Sequence, residues 1–417
     1  MMKRKSGSQI GLLPYIIVFL MIFCMGTPFG DNNSSTLRIV ILILLIYGSF
    51  IKQKWIVNRS SIYIVLALIA IPVISMVLNL DSDIEGYIGL FIIIIACWIF
   101  MNFYSIKDFK NILADIMLVI NVYSIILYAV GYIYPAFVHM LPTYWGGQLR
   151  HLLYMYYYND TSFYYEGTLS YIRNMSMFRE AGFYQIFINL AIFCEFTKEQ
   201  KINHVRIWIH FIALFTTFSS GGIIAGIPLM LLYARKARYI SKRSRNILYV
   251  IVFLLAVVYA YIIYSNSDAL FLNKLSGGSA SASSEDRITC LLSDLNLFFS
   301  SPIWGVGYTG FSTGVGTECG FTCAAALFGI CYPVMLFIGI YGFCKDGTLT
   351  KWELWYGFLS IVVAQSSQSA ILIPASMMMV LYGLVYIFGN RKDVASGNLN
   401  EENFDGEEHY INNRSSV

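Results

Sequence analysis

The chain has 417 residues, of which 57% are hydrophobic and only 12% charged, with a mean hydropathy of +0.63. Soluble domains carry about 25% charged residues, so this composition excludes a single water-soluble domain and predicts an integral membrane protein. The net charge of +4 is small and gives no reason to expect a nucleic-acid partner.

Apolar segments long enough to be transmembrane helices follow one another along the chain. The first follows the basic start Lys3–Lys5 but has no small-residue cleavage site, so we predict a membrane span and not a signal peptide. We therefore expect an all-α polytopic membrane bundle of about 12 transmembrane helices, forming one domain over residues 1–390. The predicted spans are 10–25, 37–51, 61–79, 86–104, 111–134, 181–197, 205–217, 219–234, 247–264, 320–343, 352–365 and 368–388.

The distribution of basic residues predicts the topology, because cytoplasmic loops collect Lys and Arg. If the N-terminus is cytoplasmic and the spans alternate, 22 of the 28 basic residues fall on the cytoplasmic side. The C-terminus is then cytoplasmic as well. The remaining six lie on the outer side: Arg38, Arg150, Arg173, Arg179, Lys274 and Arg287.

Two large loops are predicted on the outer face, so we expect the chemistry there. Loop 135–180 is rich in tyrosine, whose rings suit either sugar faces or the membrane interface, and loop 265–319 is rich in Gly and Ser. The cytoplasmic tail 391–417 is acidic and polar, a composition typical of disorder.

The second loop contains a predicted amphipathic helix. Ser283 precedes Asp286 by three residues, as in a capping box, and apolar residues from Ile288 to Phe299 follow at helical spacing. Because Asp294 lies opposite this apolar stripe, we expect the helix to lie at the membrane interface.

Arg179 and Arg287 stand at the predicted starts of helices on the outer side, where positive charge is disfavoured. Their neighbours Glu180 and Asp286 could simply pair with them, and this structural interpretation is as good as a functional one. Together with Arg173, however, the two arginines would form a site for a phosphate or diphosphate.

No Cys/His cluster has zinc-ligand spacing and no carboxylate cluster is evident, so we expect no metal. Cys290 and Cys319 both fall on the outer side, and whether they form a disulfide stays open.

Three segments in fixed order resemble motifs of the bacterial O-antigen polymerase and O-antigen ligase superfamily. They are Phe178–Phe183 (FREAGF), Thr217–Gly222 (TFSSGG), and the run from Arg287 through the predicted helix to Pro302–Gly307 (PIWGVG). The last is the most specific. Ser220 stands where the family usually has arginine. Glu318 stands where ligases have histidine, which favours the polymerase branch.

The resemblance implies a glycosyltransferase of the bacterial inner membrane that needs neither metal nor cofactor. It would transfer a growing glycan from undecaprenyl diphosphate to a lipid-linked repeat unit on the outer face, in O-antigen (lipopolysaccharide) or capsule synthesis. Its expected partners are the undecaprenyl-diphosphate-linked oligosaccharide, membrane lipid and a chain-length regulator protein.

On this interpretation Arg179 and Arg287 stabilise the diphosphate leaving group, and Glu318 or Asp286 is the general base. Two alternatives stay open, an O-antigen ligase and a flippase or transporter, although transporters usually carry charges near the membrane midplane. The residues predicted to bind substrate are Arg173, Glu180, Gly182, Asp286, Pro302, Gly305 and Gly307.

Overall fold

The chain is described here from a computed structural model and is mostly helical, as the sequence predicts. The described residues are 11–52, 59–144, 149–159, 173–198, 202–236, 282–313, 320–345, 349–366, 368 and 370–389. Of the predicted features, span 247–264 and tail 391–417 lie outside this part of the chain.

The described helices are α1 (Leu12–Phe23), α2 (Pro28–Asn32), α3 (Ser34–Lys52), α4 (Arg59–Leu78), α5 (Ile84–Phe103), α6 (Ile106–Ile133), α7 (Pro135–His139), α8 (Ala181–Thr197), α9 (His204–Thr216), α10 (Ser220–Lys236), α11 (Ala282–Ser300), α12 (Gly307–Thr313), α13 (Gly320–Phe328), α14 (Cys331–Cys344), α15 (Lys351–Ser366) and α16 (Pro374–Phe388), with a 3₁₀ turn at Ala370–Leu372. The described strands are β1 (Thr143–Tyr144), β2 (Leu149–Leu152) and β3 (Tyr156–Asn159).

Three described helices, α4, α5 and α6, are long and apolar enough to cross a membrane. The other predicted spans that fall in the described residues coincide with shorter helices, such as α9 with 13 residues and α14 with 14. A membrane span needs about 20 residues. The described helices therefore do not support the expected count of about 12 full-length spans.

One predicted span, 320–343, is broken into α13 and α14. Gly329 lies between them with φ +74°, and a Cβ at this position would overlap the Ile303 carbonyl. The interruption frees backbone groups, and a buried helix must satisfy them internally. The Ser75 hydroxyl donates to the Leu327 carbonyl at 3.0 Å, and the Ile330 N–H donates to the Pro302 carbonyl at 2.9 Å.

Helix α8 is the centre of the bundle. All 17 of its residues are buried, and it packs against α6, α9, α10 and α15. Apart from Gln185, Asn189, Glu195 and Thr197, its residues are apolar or aromatic on every side, as expected for a buried helix. Because α8 starts immediately after Arg179 and Glu180, the central helix places these two residues at one end of the bundle.

The two ends of α8 lie about 25 Å apart and define two ends of the bundle. We call them the Arg179 end and the Arg206 end. At the Arg206 end, Arg206 and Lys198 pair with Asp115 and Glu195. At the Arg179 end lie α2, the α4–α5 connection, the start of α13 and the segment before α16.

Loop 135–180 contains a three-stranded antiparallel sheet in the order β1-β2-β3, so the all-α prediction was wrong in this segment. Tyr156, Tyr157 and Tyr158 are each only 1% exposed. The rings of Tyr156 and Tyr158 are buried on one face of β3 and the ring of Tyr157 on the other, so none of the three offers a face to a sugar. Residues 160–172 of this loop lie outside the described part.

The predicted loop helix is present as α11, but its orientation differs from the expectation. Asp294 is fully buried and accepts a hydrogen bond from the Thr322 hydroxyl of α13 at 2.8 Å, whereas Leu292 and Phe299 are 54% and 70% exposed. The polar side therefore faces the protein and apolar side chains face outward. Such an arrangement suits a helix whose outer surroundings are apolar.

Candidate functional site

Arg179 is fixed at the start of α8 by three contacts. Its N–H donates to the Gly26 carbonyl at 3.2 Å, and its Nη1 lies 3.6 Å from Asp31 Oδ2. Its guanidinium carbon lies 3.9 Å from the centre of the Phe183 ring, a cation–π geometry. The side chain is 21% exposed, so the cation is held in place but still reaches the surface.

The acid that pairs with Arg179 is therefore Asp31 of α2 and not its neighbour Glu180. Burial raises the pKa of the Asp31 carboxyl, and the Arg179 guanidinium offsets this only in part. The Glu180 carboxylate instead accepts a hydrogen bond from Gln368 Nε2 at 3.2 Å. The simple local ion pair that the sequence left open is not formed.

Gln368 brings the first turns of two helices together. A Cβ on Gly182, in the first turn of α8, would lie 2.5 Å from Gln368 Nε2. A Cβ on Gly320, which starts α13, would lie 2.7 Å from the Gln368 carbonyl. Only glycine permits these approaches. Within the described residues, the Gln368 side-chain Oε1 is buried and has no hydrogen-bond partner.

The start of α8 has properties that suit an anion. Phe183 and Tyr184 donate their N–H groups to the Glu180 carbonyl, and the Glu180 side chain does not cap the helix. The N-terminal N–H groups carry a partial positive charge. Arg179 adds a full charge beside them, which is the usual composition of a phosphate site.

Arg173, five residues before the FREAGF segment, contacts the TFSSGG segment. It is exposed, and its Nε donates to the Thr217 carbonyl at 3.2 Å. The reversal there is made by Phe218, whose φ is +45°, and not by the glycines that follow. Gly222 instead lets α10 pack closely against Gln185 of α8.

The PIWGVG segment packs against the break between α13 and α14. Gly305 and Gly307 have φ values of +71° and +72°, the left-handed region that favours glycine. A Cβ on Gly305 would overlap the Leu327 carbonyl, and Pro302 accepts the hydrogen bond from Ile330 described above. Pro302, Gly305 and Gly307 were predicted to bind substrate. Their contacts and backbone conformations shape this segment where it packs against the helix break.

Asp81, in the α4–α5 connection, anchors the helix that follows this segment. It accepts hydrogen bonds from the Thr309 N–H and hydroxyl and, at 2.8 Å, from the Tyr87 hydroxyl. Partial burial raises the pKa of the Asp81 carboxyl, but hydrogen bonds from Thr309, the Asp83 backbone and Tyr87 outweigh burial and lower it. Asp81 is therefore a stable anionic cap of α12.

Asp286 and Arg287 lie within α11, but their side chains are outside the described part, as is Glu318. Two hydrogen bonds, Thr322 to Asp294 and Ile330 to Pro302, have the same sequence separation of 28. Equal separations indicate that α11 and its continuation run parallel to α13. Seven residues span about 10 Å of helix, so the backbone of Arg287 lies beyond the start of α13.

Sequence reasoning missed Asp31 and Gln368. Asp31 follows a Thr27 N-cap in a short helix, and no local pattern connects it with Arg179. Gln368 lies in the connection between α15 and the 3₁₀ turn, and no motif contains it. Both are placed beside α8 by contacts between segments that are far apart in the chain.

Among the described residues, no group of three or more His, Cys, Asp or Glu is arranged to hold a metal ion. Comparisons with protein-family models, with curated proteins and with solved structures found no match to this chain.

Proposed function

We propose that the chain is a membrane-embedded glycosyltransferase, a polysaccharide polymerase that uses lipid-linked oligosaccharides. The observation that carries this proposal is the position of Arg179. It is held by Asp31 and Phe183 at the start of the central helix and is still partly exposed. The proposed reaction class, glycan transfer, comes from the sequence motifs that resemble those of the O-antigen polymerase and ligase superfamily.

In the proposed reaction, an acceptor sugar hydroxyl attacks the anomeric carbon of the growing glycan. The bond from that carbon to the diphosphate oxygen breaks, the new glycosidic bond forms, and undecaprenyl diphosphate leaves with the electron pair. Negative charge grows on the diphosphate as it leaves. Arg179, the start of α8 and, in this proposal, Arg287 stabilise that charge.

A general base must take the proton of the attacking hydroxyl. Glu318 and Asp286 are the proposed bases, and Glu180 is an additional candidate because its carboxylate lies at the start of α8. The Gln368 amide that donates to Glu180 also has a buried carbonyl oxygen with no partner among the described residues, an acceptor that suits a hydroxyl donor.

We also propose that the Arg179 end of the bundle faces outward across a bacterial inner membrane. With about 12 spans and both termini in the cytoplasm, the basic residues Lys198, Arg206 and Lys236 then fall on the cytoplasmic side, as the positive-inside rule favours. A chain-length regulator protein is a proposed partner in the same membrane.

The proposal is tested by the change Arg179→Ala in purified protein reconstituted with an undecaprenyl-diphosphate-linked repeat unit. We expect the rate of polymer formation to fall about 100-fold, the effect of losing one group that stabilises developing charge. Arg179→Lys should recover only part of the rate, because Lys cannot reproduce the planar fork of Arg. Polymer length is measured by gel electrophoresis.

Arg150 offers a matched control. It also belongs to the first loop, but its Nη1 donates to the His139 and Leu141 carbonyls, so Arg150→Ala should leave the rate within a few-fold of the original. A full ladder of polymer lengths from Arg179→Ala at normal protein levels would contradict the proposal.

A second candidate function, transport of the lipid-linked glycan, is favoured by one observation. His210, Asn121 and Tyr184 are fully buried between α6, α8 and α9, and form a hydrogen-bonded row that approaches Glu195. Ionisable groups inside membrane bundles often belong to transport paths. Flipping of a fluorescent lipid-linked repeat unit by the reconstituted protein, without any polymer, would favour this function over the polymerase.

A further inference from the structure

Arg38 is one of the six basic residues predicted on the outer side, and it belongs to none of the three motifs. It lies in the second turn of α3, where its Nη2 is 3.0 Å from the Met25 sulfur. Its Nη1 lies so close to α5 that a Cβ on Gly89 would overlap it. The guanidinium is therefore wedged between α3, α5 and the segment that follows α1.

Within the described residues, Arg38 has no carboxylate partner. Its Nε is buried without a hydrogen bond, and its polar contacts are to the sulfur atoms of Met25 and Cys24, which are weak acceptors. Arg206 is different, because it pairs with both Glu195 and Asp115. A partly buried cation without a counter-ion is unfavourable.

Arg38 lies next to the Arg179 site. Met25, which contacts Arg38, is followed by Gly26, whose carbonyl accepts the Arg179 N–H. The nearby acid Asp31 is engaged by Arg179. Two arginines thus border one short segment that supplies a single acid.

Arg38 also lies next to the helix that follows the PIWGVG segment. Tyr308 of α12 packs its ring against Gly86 and Tyr87 of α5. Burial raises the pKa of the Tyr308 phenol, and the positive charge of Arg38 acts in the opposite direction. Arg38 therefore lies between the start of α8 and the second loop. Both of these regions contain motifs that resemble those of the polymerase and ligase superfamily.

We propose that Arg38 is an anion-binding residue that, together with Arg179, holds a phosphate or diphosphate group at the Arg179 end of the bundle. A bound oxyanion would supply the counter-ion that Arg38 lacks among the described residues. The inference rests on the proposed function in naming a lipid-linked diphosphate as the occupant. A phospholipid headgroup has the same chemistry, and the experiment distinguishes the two sources.

The test measures binding of farnesyl diphosphate to the detergent-purified full chain, with farnesol as the uncharged control. We expect Arg38→Met to weaken farnesyl diphosphate binding by about 10- to 100-fold, as the loss of a charged hydrogen bond implies. The melting temperature of Arg38→Met without ligand should be unchanged or higher than that of the original protein, because the substitution removes a cation that has no counter-ion among the described residues. Arg150→Gln, which removes the same charge, should leave binding within a few-fold.

A second variant keeps the charge. Gly89→Ala should displace the Arg38 guanidinium and weaken farnesyl diphosphate binding without changing net charge. Unchanged affinity of Arg38→Met for farnesyl diphosphate would overturn the proposal. If the melting temperature of this variant also falls, Arg38 has only a structural role.

Two further measurements assign the occupant. Tighter binding of farnesyl diphosphate than of phosphatidylglycerol would support the lipid-linked diphosphate, and the reverse order would overturn that assignment in favour of a phospholipid. If the protein binds farnesyl diphosphate through Arg38 but makes no polymer from a lipid-linked repeat unit, the proposed function fails and the anion site stands.

Discussion

Asp31 is subject to two opposing influences. Its side chain is only 23% exposed, which disfavours the charged form, while Arg179 lies 3.6 Å away and favours it. The balance is a raised pKa, since burial outweighs the cation. In the folded state the neutral form of this carboxyl is therefore more favourable than in water.

This balance predicts how stability depends on pH. A carboxyl whose pKa is raised by folding destabilises the protein when ionised, and this cost disappears as pH falls through the folded-state pKa. We expect Asp31→Asn to be more stable than the original protein near pH 7.5, by about 1.4 kcal/mol for each unit by which the pKa is raised. The difference should shrink toward zero at acid pH.

The measurement is the melting temperature of both proteins across the pH range. A matched comparison is Asp81→Asn. Because folding lowers the pKa of Asp81, removing this carboxylate should lower the melting temperature at neutral pH. An Asp31→Asn protein that melts lower than the original near pH 7.5 would show that the ion pair outweighs burial.

At the scale of single residues, the sequence allowed Arg179 to be singled out because its position conflicts with two general rules. Its partners were not accessible in this way. Glu180 is adjacent in sequence, but the N-cap position turns its side chain to Gln368, and Asp31 takes its place. Such pairings depend on side-chain direction at a helix start, which spacing does not specify.

At the scale of elements, α11 shows what periodicity can and cannot establish. The repeat of apolar residues predicted a helix, and the helix is Ala282–Ser300. The sequence interpretation assumed that Asp294 faces water, but it faces α13. Periodicity shows that a helix has a polar and an apolar side, but it does not show which side faces the protein. That depends on whether the other surroundings of the helix are water or lipid.

The contact between Asp294 and Thr322 makes this orientation testable. We expect Asp294→Ala to lower the free energy of unfolding by about 1–3 kcal/mol, since it removes a buried hydrogen-bonded group. Thr322→Val should have a similar effect, and the double variant should cost less than the two single changes combined. Asn296→Ala, an exposed position on the same helix, should be close to neutral in the same melting experiment.

The break at Gly329 illustrates a second limit. Apolar composition over 320–343 predicted one span, since hydropathy does not detect an interruption inside an apolar run. The interruption is stable because Ser75, Val306 and Pro302 hydrogen-bond the freed backbone groups. These partners come from α4 and from the second loop, so only the assembled bundle makes the break visible.

At the scale of the whole molecule, charged side chains separate into two groups at opposite ends of α8. Lys198 and Arg206 form one network with Asp115 and Glu195. Arg179 and Asp31 belong to the other end. The first group coincides with segments that the basic-residue distribution assigns to the cytoplasm.

We expect single cysteines at the two ends to react differently in intact cells. Tyr154→Cys, at the Arg179 end, should react with a membrane-impermeant maleimide from outside. Asn203→Cys, at the Arg206 end, should react only after lysis. Both positions are exposed. The background protein should carry Cys331→Ser, because Cys331 is itself exposed, together with Cys290→Ser and Cys319→Ser, because both are predicted on the outer side. Equal labelling of both sites before lysis would contradict the proposed orientation.

The sequence by itself determined that the chain is mostly helical and apolar, that a helix follows residue 282, and that Arg179 stands at a helix start. These properties depend on composition and short-range periodicity, which act within a few turns. The tertiary structure decided which acid meets Arg179, which side of α11 is buried, where Gly329 breaks a span, and that Arg38, near the same site, has no counter-ion among the residues described. Each of these depends on contacts between segments distant in the chain, and no local pattern encodes which segments will meet.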